Sequence, residues 1–192
     1  MIHFTSGYEL TTALTNILIF IVSIYSYLNI KDKKWKLFFL LLTNDSFLGV
    51  IVHGIVMSIA LHNILWVILT ILFVLSTNTL LTIFVDIKSK IAILLSIALS
   101  IILLIEFYLG MKFLLTFTMY TLIVSIITFI FMIKNNNYKH KIYFILAYIS
   151  QVIGGIFLLS DIELWLLNHN GFYHIFMALT ILFFYIGIKK TT

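Results

Sequence analysis

Three histidines stand out as groups that could share one chemistry. His53 lies inside a long apolar run, and His169 and His174 open the last such run in the stretch NHNGFYH. Ionisable groups at membrane depth are expensive and usually serve a site. Neutral imidazole is the commonest nitrogen ligand of zinc, and a catalytic zinc typically takes three protein ligands and a water. His53, His169 and His174 are the three that this sequence offers. Glu9, Thr12 and Asn16 recur at i, i+3, i+7, and Ser46, Gly49 and His53 repeat that spacing, so each set occupies one helical face. Glu9 is thereby a candidate general base, with Ser46 and Asn16 as candidate hydrogen-bonding partners around a metal-bound water. Each residue also has a plainer reading. His53 could be a hydrogen-bonded strut between helices, and His169 and His174 could be polar residues at headgroup level. Their five-residue gap is awkward, because i, i+4 is the spacing that stacks on one face. A helix starting at Gly171 relieves this by leaving His169 on a cap.

The elements that must position these groups follow from composition. Of 192 residues, 62% are hydrophobic and 10% are charged, against roughly a quarter charged in ordinary globular domains. That implies an integral membrane protein. Without cysteine there is no disulfide, thiolate nucleophile or cysteine metal site. The net charge of +5 comes from lysines in short clusters with no arginine, which is the pattern of cytoplasmic loops and not of a nucleic-acid groove. The opening MIHFTSGYE lacks the positive region of a secretory signal, so the first helix is expected to remain in the mature protein.

Apolar runs at about 8–29, 36–61, 64–86, 91–109, 112–133, 142–160 and 171–188 each approach the ~20 residues of a bilayer crossing. They are apolar all round, which excludes the alternation of a membrane barrel. The expectation is an all-α bundle of seven transmembrane helices in a single domain covering 1–192. Eleven of the twelve lysines follow helices 1, 3, 5 and 7, and only Lys112 falls elsewhere. Glu9, Glu106, Asp161 and Glu163 lie on the opposite side. The positive-inside rule then puts the N terminus outside and the C terminus in the cytoplasm, in the cytoplasmic membrane of the cell.

Counting from the nearest of those lysines at ~1.5 Å per residue, Asn16, His53 and His174 lie at one depth, roughly 22–26 Å up. Asp45, Asn78 and Gln151 form a deeper layer at roughly 14–15 Å. Two polar layers imply a wet cavity open to the outside. A shared site requires His53 and His174 nitrogens within about 5 Å of each other, and helix 7 beside both helix 1 and helix 2. Asp45 is expected to be neutral, to pair with Asn44 or Asn78, or to be solvated by a cavity. His3, His62 and His140 are read as peripheral.

The stretches TTALTN, SFLGVIVHG and NHNGFYH resemble the ceramidase-like (CREST) superfamily of seven-helix membrane proteins, more narrowly its little-characterised bacterial branch. The resemblance covers the whole layout. It implies a zinc held by one histidine on helix 2 and two on helix 7, hence His53, His169 and His174, and hydrolysis of a lipid amide or ester. Membrane lipids would be the partners, with substrate entering from the outer leaflet. The chain departs from the ceramidases at Gly49, where a serine is expected, and near the start of helix 3, where their aspartate has no equivalent. Those departures favour a second expectation, a non-catalytic receptor, scaffold or accessory protein that keeps a metal or polar pocket. A third is haem held by His53 and His174, against which the lack of arginine for the propionates counts.

Overall fold

The computed structural model describes residues 8–109, 113–135, 140–160 and 162–191. Lys112, Lys139, Asp161 and His3 lie outside them. Seven α-helices follow one another: α1 Tyr8–Asn29, α2 Lys33–Gly54, α3 Ile59–Leu80, α4 Ser89–Tyr108, α5 Phe113–Lys134, α6 Lys141–Leu158 and α7 His169–Thr191. A five-residue π-helical turn, Leu81–Val85, extends α3. No strand occurs among the described residues. Six helices, all but α4, are long and apolar enough to cross a membrane.

Side-chain caps set several boundaries. Asp32 accepts from the Trp35 amide at 3.0 Å and starts α2. Ser58 accepts from the Leu61 amide at 3.4 Å and starts α3. Such caps satisfy backbone donors that a helix leaves orphaned at its first turn. The expected run 36–61 therefore ends earlier, at Gly54, where Ile55 turns extended (φ −125°, ψ 129°). Helix 7 begins at His169 and not at Gly171, because Asn168 accepts from the Gly171 amide at 2.9 Å.

Consecutive helices pack against each other, and the chain reverses at each short turn. The described lysines consequently collect at one end. Lys34, at the start of α2, donates to the Thr82 carbonyl at 2.6 Å and to Asp86 at 2.9 Å, past the end of α3. Lys190, at the end of α7, reaches Tyr143 at the start of α6 at 2.8 Å.

The neighbour order corrects one expectation. α7 packs on α1 and α6, while its backbone makes no approach to that of α2. The bundle closes as a ring through α1, α2, α3, α5, α6 and α7, with α4 outside against α3 and α5. Helices 2 and 7 meet only through side chains across the interior. At the lysine end this meeting is aromatic: Trp35 faces Phe38, Phe39, Phe84, Phe144 and Phe184 at centroid separations of 5.4–6.3 Å. Phe39, Phe144 and Phe184 have no exposure at all. Edge-to-face aromatic pairs add ~0.5–1.5 kcal/mol each to their burial, so this cluster seals that end firmly. Gly187 permits it, because a Cβ there would stand 2.8 Å from the Phe144 ring.

Candidate functional site

At the lysine-poor end the side chains across the interior are polar. His53 on α2 and His174 on α7 face one another with ring centroids 6.1 Å apart. His174 is buried at 8% exposure. Its Nδ1 lies 3.1 Å from the Thr15 hydroxyl on α1, the helix between them in the ring. Thr15 donates back to the carbonyls of Thr12 (2.9 Å) and Thr11 (3.1 Å), as hydroxyls inside helices do. Its oxygen is then the acceptor, and the Thr12 carbonyl is a second acceptor for the same imidazole. This arrangement puts the proton on Nδ1 and leaves the Nε2 lone pair for another partner.

Two neighbours hold the pair in place. Trp66 on α3 stands edge-on to His53 at 5.5 Å and donates its indole N–H to His62 at 3.2 Å. His62 is half-buried and supports Trp66. On the other side Asn168 fixes the start of α7, accepting from the Thr12 hydroxyl at 3.4 Å as well as from Gly171. α1 comes close to α2 because Gly49 has no side chain; a Cβ there would sit 2.9 Å from Asn16 Oδ1. Small residues at helix crossings allow such approach.

These groups open on one partly enclosed cavity of about 260 Å³. Asn16, His53, His169 and His174 all line it. Its walls are Trp66, Leu69 and Phe73 of α3, Phe117 of α5, Leu158 of α6 and Met177 of α7. Four of the six residues singled out in the sequence thus share a space. The other two stand elsewhere. Glu9 is exposed in the first turn of α1 and is not among the lining residues. Ser46 is buried, donates to the Leu42 carbonyl at 2.7 Å and faces away from the cavity.

The carboxylate inside the cavity is Asp45. It shares a stripe with Gly49 and His53 at i, i+4, i+8, as regular as the stripe from Ser46. Neither expected amide partners it. Asn44 is exposed and donates to the Leu40 carbonyl at 2.8 Å. Asn78 donates to Ser96 at 2.8 Å and accepts from Tyr120, joining α3, α4 and α5. Gln151 lines a separate apolar groove between α5 and α6.

A catalytic zinc can be tested against this donor set. Two Zn–N bonds of ~2.0–2.1 Å place ring centres about 5 Å apart at a tetrahedral angle, and about 6 Å apart when opposed. The His53–His174 separation suits two ligands after a small closure. A third ligand and a base are harder to supply. Residues 169 and 174 are both within α7, five apart, and point about 140° from each other around it. No group of three His, Cys, Asp or Glu side chains converges among the described residues. Asp45 lies eight residues below His53, ~12 Å along the axis. The residues present therefore do not complete the hydrolytic set, and no catalytic step follows from them.

The chain belongs to a family of unknown function, DUF6962, which matches residues 11–192. No curated protein and no solved structure matches it.

Proposed function

We propose that this member of DUF6962 is a multipass membrane protein that binds a small amphiphilic ligand inside its helical ring, without transforming it. The observation that carries this reading is the cavity itself, polar at one end (Asn16, His53, His169, His174) and apolar along its walls. Its volume of about 260 Å³ is close to the lower bound of ~300 Å³ for ligand sites. The lysine distribution supports a cytoplasmic position for the aromatic end, with α4 as the seventh crossing. The polar mouth then opens to the outside of the cytoplasmic membrane, with the N terminus on that side. The test is calorimetric titration of the purified chain in maltoside micelles with 2-phenylethanol, a neutral amphiphile of suitable size. Saturable binding that Leu69→Trp abolishes, by filling the cavity, is expected. Absence of binding, or binding indifferent to Leu69→Trp, overturns the reading.

The second reading, zinc-dependent hydrolysis of a lipid amide or ester as in the ceramidases, rests on the facing imidazoles of His53 and His174. It requires about one zinc per chain, lost in His53→Ala, together with turnover of a ceramide panel. Zinc-free protein inert on that panel rejects it.

A further inference from the structure

Asp45 is not explained by packing or by the histidine pair. It sits nine residues above Lys36 on α2, ~14 Å into the membrane. It lines the cavity, half-buried, and its Oδ1 is enclosed with no hydrogen-bond donor among the described residues. A buried carboxylate needs a counter-charge or a proton. The described residues supply no counter-charge: the chain has no arginine, and the described lysines lie at helix ends. The carboxyl therefore either holds a proton or takes its counter-charge from outside the chain.

The surroundings select what kind of partner. A hard inorganic cation collects about six or more oxygen ligands. The cavity holds no second carboxylate: besides Asp45 its side-chain oxygens are the neutral amides and hydroxyls of Asn16, Thr70, Asn170 and Tyr173, and Ile19, Leu42, Leu69, Phe73 and Met177 make much of the remaining lining apolar. Aromatic faces and methionine suit a different cation, an ammonium carried on an apolar body, through cation–π attraction and soft contacts. Phe73 and Phe117 pack as a tilted pair with centroids 4.4 Å apart on one wall, and Tyr173 lines the same cavity as Asp45. Beneath Asp45 the aromatic cluster around Trp35 closes the bundle, so the cation rests on a floor and does not pass through.

We propose that Asp45 at the floor of the central cavity, with the aromatic wall beside it, is the subsite for the ammonium group of an organic amine. This deepens the ligand-binding reading and rests on it: the ligand is an amphiphile whose charged end points inward and whose opposite end meets the histidines. No bond is made or broken in this step.

The experiment compares isosteres that differ only in charge. Phenyltrimethylammonium and tert-butylbenzene have the same shape, as do 2-phenylethylamine and 2-phenylethanol. Each is titrated into the full chain in uncharged maltoside micelles. The cation is expected to bind at least ~10-fold more tightly than its neutral isostere, ~1.4 kcal/mol by conversion. Asp45→Asn should abolish that preference while leaving the neutral isostere bound, and Asp45→Glu should retain part of it. Equal binding of cation and isostere to the unmodified chain overturns the ammonium subsite but leaves the ligand cavity standing, with a protonated carboxyl as the remaining account of Asp45. Binding of neither overturns both. The isostere comparison uses the unmodified chain, so it decides the matter even where Asp45→Asn does not fold.

Discussion

Gly49→Ala provides the most direct test of how the site is built. The substitution adds one methyl group to α2 where it faces α1. That methyl would lie 2.9 Å from Asn16 Oδ1 and 3.0 Å from its Cγ and Nδ2, so the whole amide obstructs it. Asn16 is 5% exposed and donates to the Thr12 carbonyl at a long 3.4 Å, so it has little room to turn. Two responses exist. The amide can rotate and lose its partner, costing about 1–3 kcal/mol for a buried polar group left unsatisfied. Alternatively α1 and α2 can part, at about 1–3 kcal/mol for overpacking. Replacing glycine inside a helix offsets ~0.5–1 kcal/mol of either cost. The net expectation is a loss of about 1–2 kcal/mol. In an Asn16→Ala background the obstruction is gone and only the helix-propensity gain remains, so the same substitution should stabilise by up to ~1 kcal/mol. The assay is unfolding of the purified chain in mixed dodecylmaltoside–SDS micelles, followed by far-UV circular dichroism, for all four members of the cycle. The sign reversal is the decisive feature. If Gly49→Ala stabilises in both backgrounds, the close approach of Asn16 and Gly49 is wrong, and with it the wall of the cavity.

Two further outcomes follow from the same geometry. Asn168→Ala removes the α7 cap and its bond from Thr12, and should cost about 1–2 kcal/mol in the same assay; combined with Thr12→Val the losses should be less than additive, because the two residues share one bond. Tyr120→Phe deprives Asn78, 1% exposed, of its donor and should cost about 1–3 kcal/mol, with no effect on ligand binding because Asn78 and Tyr120 do not line the cavity.

The sequence was informative wherever a physical rule is one-dimensional. Hydropathy located seven helices because lipid demands about twenty apolar residues per crossing. Depth was legible for the same reason: rise per residue is fixed, so counting from the lysines put His53 and His174 at one level, and their rings do face each other. Boundaries that depend on a single hydroxyl or amide were not legible. Ser58 and Asn168 are unremarkable in a hydropathy profile, yet they decide where α3 and α7 begin. Helix adjacency was also hidden. Helices apolar all round carry no stripe that says which neighbour each face meets, so α1 could not be read as lying between α2 and α7.

Asp45 shows a subtler limit. Because 3.6 residues make a turn, both i+3 and i+4 steps stay near one face, and two stripes lead down from His53 through Gly49. One ends at Ser46, the other at Asp45. Spacing alone cannot choose between them. The choice is made by the roll of α2 about its axis, which packing against α1 and α3 determines.

That roll has a consequence for access. It turns Trp35, Phe38 and Phe39 into the aromatic cluster at the lysine end of α2, and Asp45, Gly49 and His53 into the cavity above it. A single helix thus carries both the seal and the site. Any group that neutralises Asp45 has to pass the level of His53 and His174 or slip between helices, because the way from the lysine end runs through Phe39, Phe144 and Phe184, which are fully buried. His53 and His174, which face each other from α2 and α7, are therefore placed at the entrance and not at the bottom of the cavity. On the ligand-binding proposal, substitutions there should alter how fast a ligand enters and leaves, whereas substitutions at Asp45 should alter which ligand is held.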